Sequence, residues 1–201
     1  MRKIKIKNLF ASKRKPKRLI STKLIGKKVI LRKLKVTDAV YLYDTYEDLR
    51  NEIYTPYNKL NSVDDVTVYL MDYTSKYETG KSIGWAITSS KTNEFVGVIH
   101  VLKFKEVEKQ CTISFYTVKG LKDPYIIESI KMVVEYLFST GLVRRIEADI
   151  DSDDAFSEIA LIKCGFTLEG TKRKYAYYGE QYHDVKLYSI LDEEVILVKE
   201  K

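Results

Sequence analysis

Residues 144–191 contain a strand, a short helix and a hairpin in immediate succession, and this order constrains the fold more than any other part of the chain. Apolar and polar side chains alternate over residues 145–151, which predicts a strand with one covered face. Residues 152–154 offer acceptors and negative charge to the first turn of a helix, and Gly165 suits a left-handed stop. Two further strands are predicted at residues 166–170 and 184–191.

The rest of the sequence predicts helices interleaved with an antiparallel-rich sheet, which is an α+β or mixed α/β sandwich. Thr37 is predicted to cap an early helix. Asp123 and Pro124 are predicted to begin a long helix, and Gly141 to end it. Strands are predicted at residues 29–34, 83–87, 95–102 and 111–117, the last three as a meander.

The order of these features resembles one family. The hairpin region carries KCGF at 163–166, LEG at 168–170, a basic and aromatic stretch, HD at 183–184 and YSIL at 188–191. This is similar to the C-terminal half of a GNAT-superfamily N-acetyltransferase, in the branch that acetylates ribosomal-protein N-termini, such as the alanine acetyltransferases. The similarity continues upstream through residues 26–32, 37–39, 85–87 and 96–99, so it covers roughly residues 24–194. The resemblance implies the acyl-CoA N-acyltransferase fold, a central, mostly antiparallel twisted sheet flanked by helices.

Length and composition predict one domain. A chain of 201 residues with 45% hydrophobic content can enclose one substantial core. We expect a basic, flexible extension over residues 1–22, the domain over 23–195 and a tail over 196–201. Removing residues 1–20 is expected to leave thermal stability nearly unchanged. Cys111 and Cys164 lie far apart without metal spacing, which predicts no metal site and no disulfide, and fits a reduced cytoplasm.

The net charge of +7 conceals an asymmetry between the front of the chain and its body. Residues 1–37 hold 15 Lys or Arg and no acid, whereas residues 38–201 hold 20 basic residues against all 28 acids, a net of −8. The cationic stretch within residues 1–20 could engage RNA, the ribosome or an anionic membrane surface. The alternative is a solubilising tail that folds back on the acidic body.

The resemblance implies acetyl transfer from acetyl-CoA to a primary amine of a protein N-terminus or a small molecule. It places the thioester where the two central strands splay apart, with the backbone near Tyr116, Thr117 and Val118 bonded to the pantetheine. Ser157 matches the serine of the family's Asn-x-x-Ser motif, which would protonate the departing thiolate. Alternatively, Ser157 is an ordinary exposed helix residue.

The cofactor loop departs from the family's Gln/Arg-x-x-Gly-x-Gly/Ala pattern. Lys119, Lys122 and Pro124 stand at its three defining positions. Lys122 carries a side chain where the phosphates need close approach, and Pro124 removes an amide donor. Asp123, together with Asp154 at the motif's Asn position, adds negative charge, although the two lysines could act as point charges. Three interpretations stay open: an acetyltransferase with an atypical cofactor loop, a non-catalytic binding module, or an RNA- or ribosome-associated factor.

A general base is harder to find in the sequence. His100 lies in a predicted strand, where histidine is more often structural than catalytic, and His183 precedes the last strand. The tyrosines of the hairpin, interleaved with basic residues 172–174, could orient an acceptor amine or could simply pair across the strands. These tyrosines are Tyr175, Tyr177, Tyr178 and Tyr182.

Overall fold

The computed structural model describes residues 4–8, 18–49, 60–77, 79–80, 83–118 and 124–199. This part of the chain contains ten strands: β1 (Ile4–Asn8), β2 (Leu24–Ile25), β3 (Val29–Arg32), β4 (Ile83–Ser89), β5 (Phe95–Lys105), β6 (Gln110–Thr117), β7 (Arg145–Asp151), β8 (Thr167–Tyr178), β9 (Gln181–Leu191) and β10 (Val195–Lys199). Its four α-helices are α1 (Ala39–Leu49), α2 (Val63–Ser75), α3 (Pro124–Thr140) and α4 (Ala155–Lys163).

Eight of the strands form one mixed sheet in the order β2-β3-β4-β5-β6-β7-β9-β8. Neighbouring strands are antiparallel except β6 and β7, which are parallel. The predicted α+β architecture and the meander of β4, β5 and β6 are confirmed. The parallel pair lies in the middle of the sheet, and α3 connects its two strands.

Helices cover both faces of the sheet, which explains why every residue of β4 is buried. Because successive side chains on a strand point to opposite faces, Trp85 packs with α3 and α4, whereas Ala86 packs with α1 and α2. Trp85 belongs to the larger core cluster, which includes Ile130 of α3 and Leu161 of α4. The two cores hold the central strands rigidly from both sides.

The helices beside the parallel pair begin and end where the sequence predicts. α3 starts at Pro124, and Gly141 follows its end with a φ of 71°. At the start of α4, the Asp154 side chain accepts a hydrogen bond from the Ser157 N–H at 3.0 Å. Gly165 follows with a φ of 90°, a conformation that glycine adopts without steric cost.

The predicted cap of the first helix is wrong. Thr37 lies inside a 3₁₀ turn, Val36–Asp38, that precedes α1. The Asp38 carboxylate accepts a hydrogen bond from the Lys35 N–H at 2.8 Å and therefore performs the capping. Asp38 is also held by two hydrogen bonds from the guanidinium of Arg32, each 2.8 Å long.

Residues 19–22 pack against the domain, which corrects the predicted flexible extension over residues 1–22. Leu19 is 2% exposed, and the Ser21 hydroxyl accepts a hydrogen bond from the Gly84 N–H at 2.9 Å. The Trp85 indole N–H donates to the Thr22 carbonyl at 2.6 Å. The domain therefore begins before residue 23.

A second, two-stranded sheet joins the two ends of the described chain. β1 runs parallel to β10, with Ile4 opposite Val195 and Asn8 opposite Lys199. A strand thus occupies part of the predicted tail over residues 196–201. Residues 1–3 and 9–17 lie outside the described residues, so the interpretation of that basic stretch stays a prediction.

Candidate active site

The parallel strands β6 and β7 diverge half-way along their length. Their pairing ends at Ile113 and Ala148, while the other edge of β6 continues to pair with β5 as far as Thr117. A cleft opens between the diverging ends, and the start of α4 closes one side of it. Its lining comes from β6, β7 and α4: Ile113, Ser114, Phe115, Tyr116, Asp149, Ile150, Asp151, Asp154 and Ser157.

Beyond Ile113, the edge of β6 that faces this cleft pairs with no strand in the described part of the protein. Alternate residues of a strand direct their N–H and C=O groups to opposite neighbours. The Val118 N–H donates to the Val96 carbonyl at 2.9 Å, so Val118 and Tyr116 direct theirs to β5. Thr117 directs its backbone groups into the cleft, as does Phe115. Of the three residues predicted to lie near the pantetheine, Thr117 therefore directs its backbone groups away from β5, and the pantetheine contact stays a prediction for all three.

The two residues predicted from the Asn-x-x-Ser motif meet at the cleft. Ser157 is 7% exposed on the first turn of α4, which corrects the alternative of an ordinary exposed helix residue. Asp154 caps that turn through the Ser157 N–H. Its carboxylate therefore serves the helix start, where negative charge is favourable. The motif thus orients the serine toward the point where β6 and β7 separate.

Ser114 is a cleft residue that the sequence reasoning missed. Its hydroxyl oxygen is buried and has no hydrogen-bond partner in the described part of the protein. Leaving a buried polar atom unsatisfied costs about 1–3 kcal/mol, so this atom favours a polar group of a bound molecule. A serine within the strand stretch CTISFYT gives no sequence signal, because its importance depends on where β7 leaves β6.

Two carboxylates of β7 face the cleft from the other side, and the sequence reasoning missed both. Asp149 accepts a hydrogen bond from the Lys172 ammonium at 2.7 Å. Asp151 is 4% exposed and accepts hydrogen bonds from the Tyr178 hydroxyl and, at 2.9 Å, from the Asp153 N–H. The alternation that predicts the apolar face of β7 also places these aspartates together on the opposite face. This pattern could have identified them from the sequence.

The β8–β9 hairpin brings the Tyr178 hydroxyl to Asp151, which lines the cleft, while its other tyrosines lie elsewhere. The Tyr178 ring stacks on His183, with centroids 3.7 Å apart. Tyr177 and Tyr182 form a cross-strand pair on the opposite face, and both are exposed. Tyr175 is half exposed beneath the Lys172 ammonium. Cross-strand pairing, predicted as one alternative, therefore accounts for Tyr177 and Tyr182.

His100 is buried among aromatic residues away from water. Its Nδ1 lies 3.0 Å from the Tyr73 hydroxyl, and burial lowers the pKa of the imidazole to about 3. Gly84 makes room for the pair, because a methyl group there would lie 2.5 Å from the Tyr73 oxygen. His100 is therefore neutral at physiological pH and has the structural character that the sequence favours for a strand histidine.

The sequence over residues 28–167 matches the family described as Acetyltransferase (GNAT) domain. The chain belongs to the GNAT acetyltransferase family. The family predicted from the sequence is confirmed, and the activity is N-acetyl transfer. Of the interpretations that the sequence left open, the acetyltransferase is therefore confirmed, and the non-catalytic binding module is not.

Two relatives of this GNAT acetyltransferase come from Bacillus subtilis (strain 168). It is 25% identical to the uncharacterized N-acetyltransferase YoaA over 165 residues, which cover 82% of this chain and 93% of YoaA. It is 24% identical to the probable N-acetyltransferase YjcK over 176 residues, which cover 84% of this chain and 97% of YjcK.

Solved structures share the fold of the acetyltransferase at lower identity. RimL, a ribosomal L7/L12 alpha-N-protein acetyltransferase in complex with coenzyme A, has a TM-score of 0.75 and 17% identity, covering 84% of this chain and 96% of RimL. The microcin C7 self-immunity acetyltransferase MccE, in complex with acetyl-CoA and AMP, has a TM-score of 0.73 and 16% identity, covering 83% of this chain and 93% of MccE. The predicted GNAT fold is confirmed.

Of the residues predicted for the cofactor loop, the structure describes Pro124. Lys119, Lys122 and Asp123 lie outside the described residues, so their interpretation stays a prediction. Pro124 occupies the first position of α3, as predicted. No three His, Cys, Asp or Glu side chains come together as a metal site within the described ranges. No helix there is long and apolar enough to cross a bilayer.

Proposed function

We propose that this N-acetyltransferase moves the acetyl group of acetyl-CoA to the α-amino group of a protein N-terminus. The observation that carries the proposal is the cleft between the diverging ends of β6 and β7, which is lined by Phe115 and Tyr116 of β6 and by Ser157 of α4. The thioester fits between them, with the pantetheine bonded to β6. The names of similar structures support the acceptor class, because several act on ribosomal-protein N-termini.

In this proposal the free amine attacks the thioester carbonyl carbon, and Ser157 protonates the sulfur as the C–S bond breaks. Positioning two reactants side by side removes much of the entropic barrier. The fixed start of α4 holds the hydroxyl in place, since Asp154 caps the same turn. General acid catalysis of this kind contributes roughly 100-fold or more to the rate.

Acetylation of a peptide library with all 20 N-terminal residues, followed by mass spectrometry and thiol release, tests the proposal. We expect α-amine acetylation, and we expect Ser157→Ala to lower kcat by roughly 100-fold with little change in KM. Ser139→Ala, on α3, is the matched control, since its hydroxyl bonds only the Tyr136 carbonyl in the described structure. If only small amines such as polyamines were acetylated, the proposed protein acceptor would be wrong and the acceptor would be a small molecule.

The cofactor loop gives a separate test of acetyl-CoA binding. If Lys119 and Lys122 meet the phosphates as point charges, affinity should be modest and should fall as salt rises. Replacing Lys122→Gly, Asp123→Lys and Pro124→Gly together should tighten binding, because small residues admit the phosphates to backbone amides. Calorimetric titration of both proteins at two salt concentrations decides this. Tight, salt-insensitive binding by the natural sequence would show that the loop binds by backbone amides.

We also infer that the basic stretch within residues 1–20 contacts RNA, the ribosome or an anionic membrane, and that the protein works in the cytoplasm. The charge asymmetry supports the first inference, because Lys and Arg clusters bind phosphate groups. The second is supported by Cys111 and Cys164, both free and buried. Salt-dependent binding of RNA and of anionic vesicles, compared between the full chain and a variant with Lys13 to Arg18 neutralised, separates these surfaces.

A further inference from the structure

Any acceptor amine must lose a proton before it can attack, and this requirement rests on the proposed function. An α-amino group titrates at about pH 8, so at neutral pH it enters the cleft mainly as an ammonium ion. A carboxylate attracts such a cation and can receive its proton. Three aspartates line the cleft, and their contacts differ: Asp149, Asp151 and Asp154.

Asp151 differs from the other two because its partners, the Asp153 N–H and the Tyr178 hydroxyl, are uncharged and belong to no helix cap. Asp149 is paired with the Lys172 ammonium at 2.7 Å. Asp154 accepts the Ser157 N–H and is thereby fixed at the start of α4. No cation pairs with Asp151 in the described ranges, although it is the most deeply buried carboxylate of the cleft at 4% exposure. Its charge therefore remains available to a cation that enters between β6 and β7.

Tyr178 fixes the position of the Asp151 carboxylate. Its hydroxyl donates to one carboxylate oxygen, and its ring is clamped by stacking on His183. Burial, the hydrogen bond to Asp151 and the nearby charges of Asp153 and Asp154 raise the pKa of Tyr178, so the phenol stays a donor. The Asp151 carboxylate thus accepts from this phenol and from the Asp153 N–H, with the His183 ring behind the phenol. The other charged groups of the cleft are the carboxylates of Asp153 and Asp154 and the Asp149–Lys172 pair.

We propose that Asp151 receives the proton of the acceptor ammonium and that Tyr178 is the positioning residue that holds Asp151 toward the cleft. The ammonium gives one proton to the carboxylate, which becomes a neutral acid. The nitrogen lone pair then forms the C–N bond, and the carbonyl electrons move to oxygen. The electron pair on oxygen then re-forms the C=O bond as the C–S bond breaks, and the C–S electron pair goes to sulfur. The sulfur takes the Ser157 proton, and the nitrogen gives a proton to Ser157. Asp151 finally releases its proton to water.

Asp151→Asn tests this role through the pH dependence of the rate. At pH 7 we expect kcat/KM for a free-amine peptide to fall roughly 100-fold or more. The deficit should shrink toward pH 9, because the peptide then carries its own free amine. Asp192→Asn is the control, since that carboxylate pairs with Arg144 at the far end of β7. Activity within about threefold of the natural protein at pH 7 would overturn the proposal.

Tyr178→Phe keeps the ring on His183 and removes only the hydroxyl. We expect kcat to fall roughly tenfold with acetyl-CoA affinity unchanged, since a misplaced base slows proton transfer without altering the cofactor site. Tyr177→Phe, exposed on the opposite face, should leave the rate unchanged. Equal rates for Tyr178→Phe and the natural protein would remove Tyr178 from the mechanism.

A binding measurement separates this inference from the proposed function. With coenzyme A present, the natural protein should bind a free-amine peptide more tightly than its N-acetylated form, and Asp151→Asn should lose that preference. Loss of the preference supports the Asp151 assignment even if turnover of the chosen peptides fails, which would count against the proposed acceptor class alone. No preference in the natural protein would overturn the assignment.

Discussion

His100 has no exposed surface, and burial lowers its pKa to about 3. Its Nδ1 contact with Tyr73 fits a neutral ring. Protonation would place a charged imidazolium in the core, where no water can solvate it. In the unfolded chain, by contrast, the imidazole takes up a proton at about pH 6.5. His100 therefore makes the free energy of unfolding depend on pH.

Between about pH 6.5 and pH 3 the unfolded state holds the extra proton, so the free energy of unfolding falls as the pH falls. The slope from His100 alone approaches about 1.4 kcal/mol per pH unit. Urea unfolding at pH 7, 6, 5 and 4 should show a shallower dependence for His100→Gln than for the natural protein. Identical slopes would contradict a buried, neutral imidazole.

Glu169 also makes the free energy of unfolding fall as the pH falls, but in a more acidic range. Hydrogen bonds from Arg145 and Ser189 lower the pKa of its carboxyl to about 2, so its contribution is complete above about pH 4.5 and is lost as the pH falls toward 2. Glu169→Gln should lower the free energy of unfolding at pH 7 by about 1 kcal/mol, since partly exposed ion pairs are screened. The two melting temperatures should converge at low pH; a constant difference would count against the ion pair.

The cleft carboxylates show what the sequence alone could predict at this scale. The period of two along β7 is sufficient to place Asp149 and Asp151 on one face. Their partners lie 23 and 27 residues away, on β8. The register between β8 and β9 shifts between Lys172 and Ala176, so counting along the strands does not predict which side chains meet. Ser157 could be predicted because a motif carries it within one helical turn.

Among the elements, β6 determines the shape of the cleft, because it stays paired to β5 after β7 has left. Helix boundaries near it followed from Pro124, Gly141 and Gly165, whose backbone preferences act locally. Thr37 misled the sequence reasoning, since threonine and aspartate both cap helices and the carboxylate reached the free amide. Local chemistry thus predicted where the helices begin and end. The point at which β7 separates from β6 could be seen only in the assembled sheet.

Gly97 holds β5 and β6 together at the rim of the cleft. A methyl group on its Cα would lie 2.1 Å from the Tyr116 carbonyl oxygen, which is backbone and cannot rotate away. Gly97→Ala should therefore cost about 1–3 kcal/mol in the free energy of unfolding and weaken acetyl-CoA binding by displacing β6. Val107→Ala, 90% exposed in the next turn, is the reference. An unperturbed Gly97→Ala protein would show that the strands separate easily there.

For the whole molecule, the contacts of residues 19–22 change what truncation should do. Composition predicted a dispensable extension because charged stretches bury little. Leu19 is nevertheless buried, and the Ile20 carbonyl accepts the Tyr136 hydroxyl at 2.6 Å. The sequence could not show this, because an isolated apolar pair after a basic run does not reveal the distant surface it covers.

Two truncations compare the parts of this segment. Proteins that begin at residue 18 or at residue 23 both lack β1, so the difference between them isolates residues 18–22. We expect the shorter protein to be less stable by about 3 kcal/mol, because a buried leucine and several hydrogen bonds are lost. This corresponds to roughly 10 °C in melting temperature. Equal melting temperatures would mean that the segment contributes nothing measurable.

The parallel pairing of β1 with β10 also determines how the molecule responds to a mechanical load. Ile4 begins one strand and Lys199 ends the other, and in a parallel pair these residues lie at opposite ends of the ribbon. Tension applied between them slides the strands along each other and loads all the ladder bonds at once, instead of peeling them one by one. The junction of the two ends is thus a shear clamp, which must rupture before force reaches the sheet that forms the cleft.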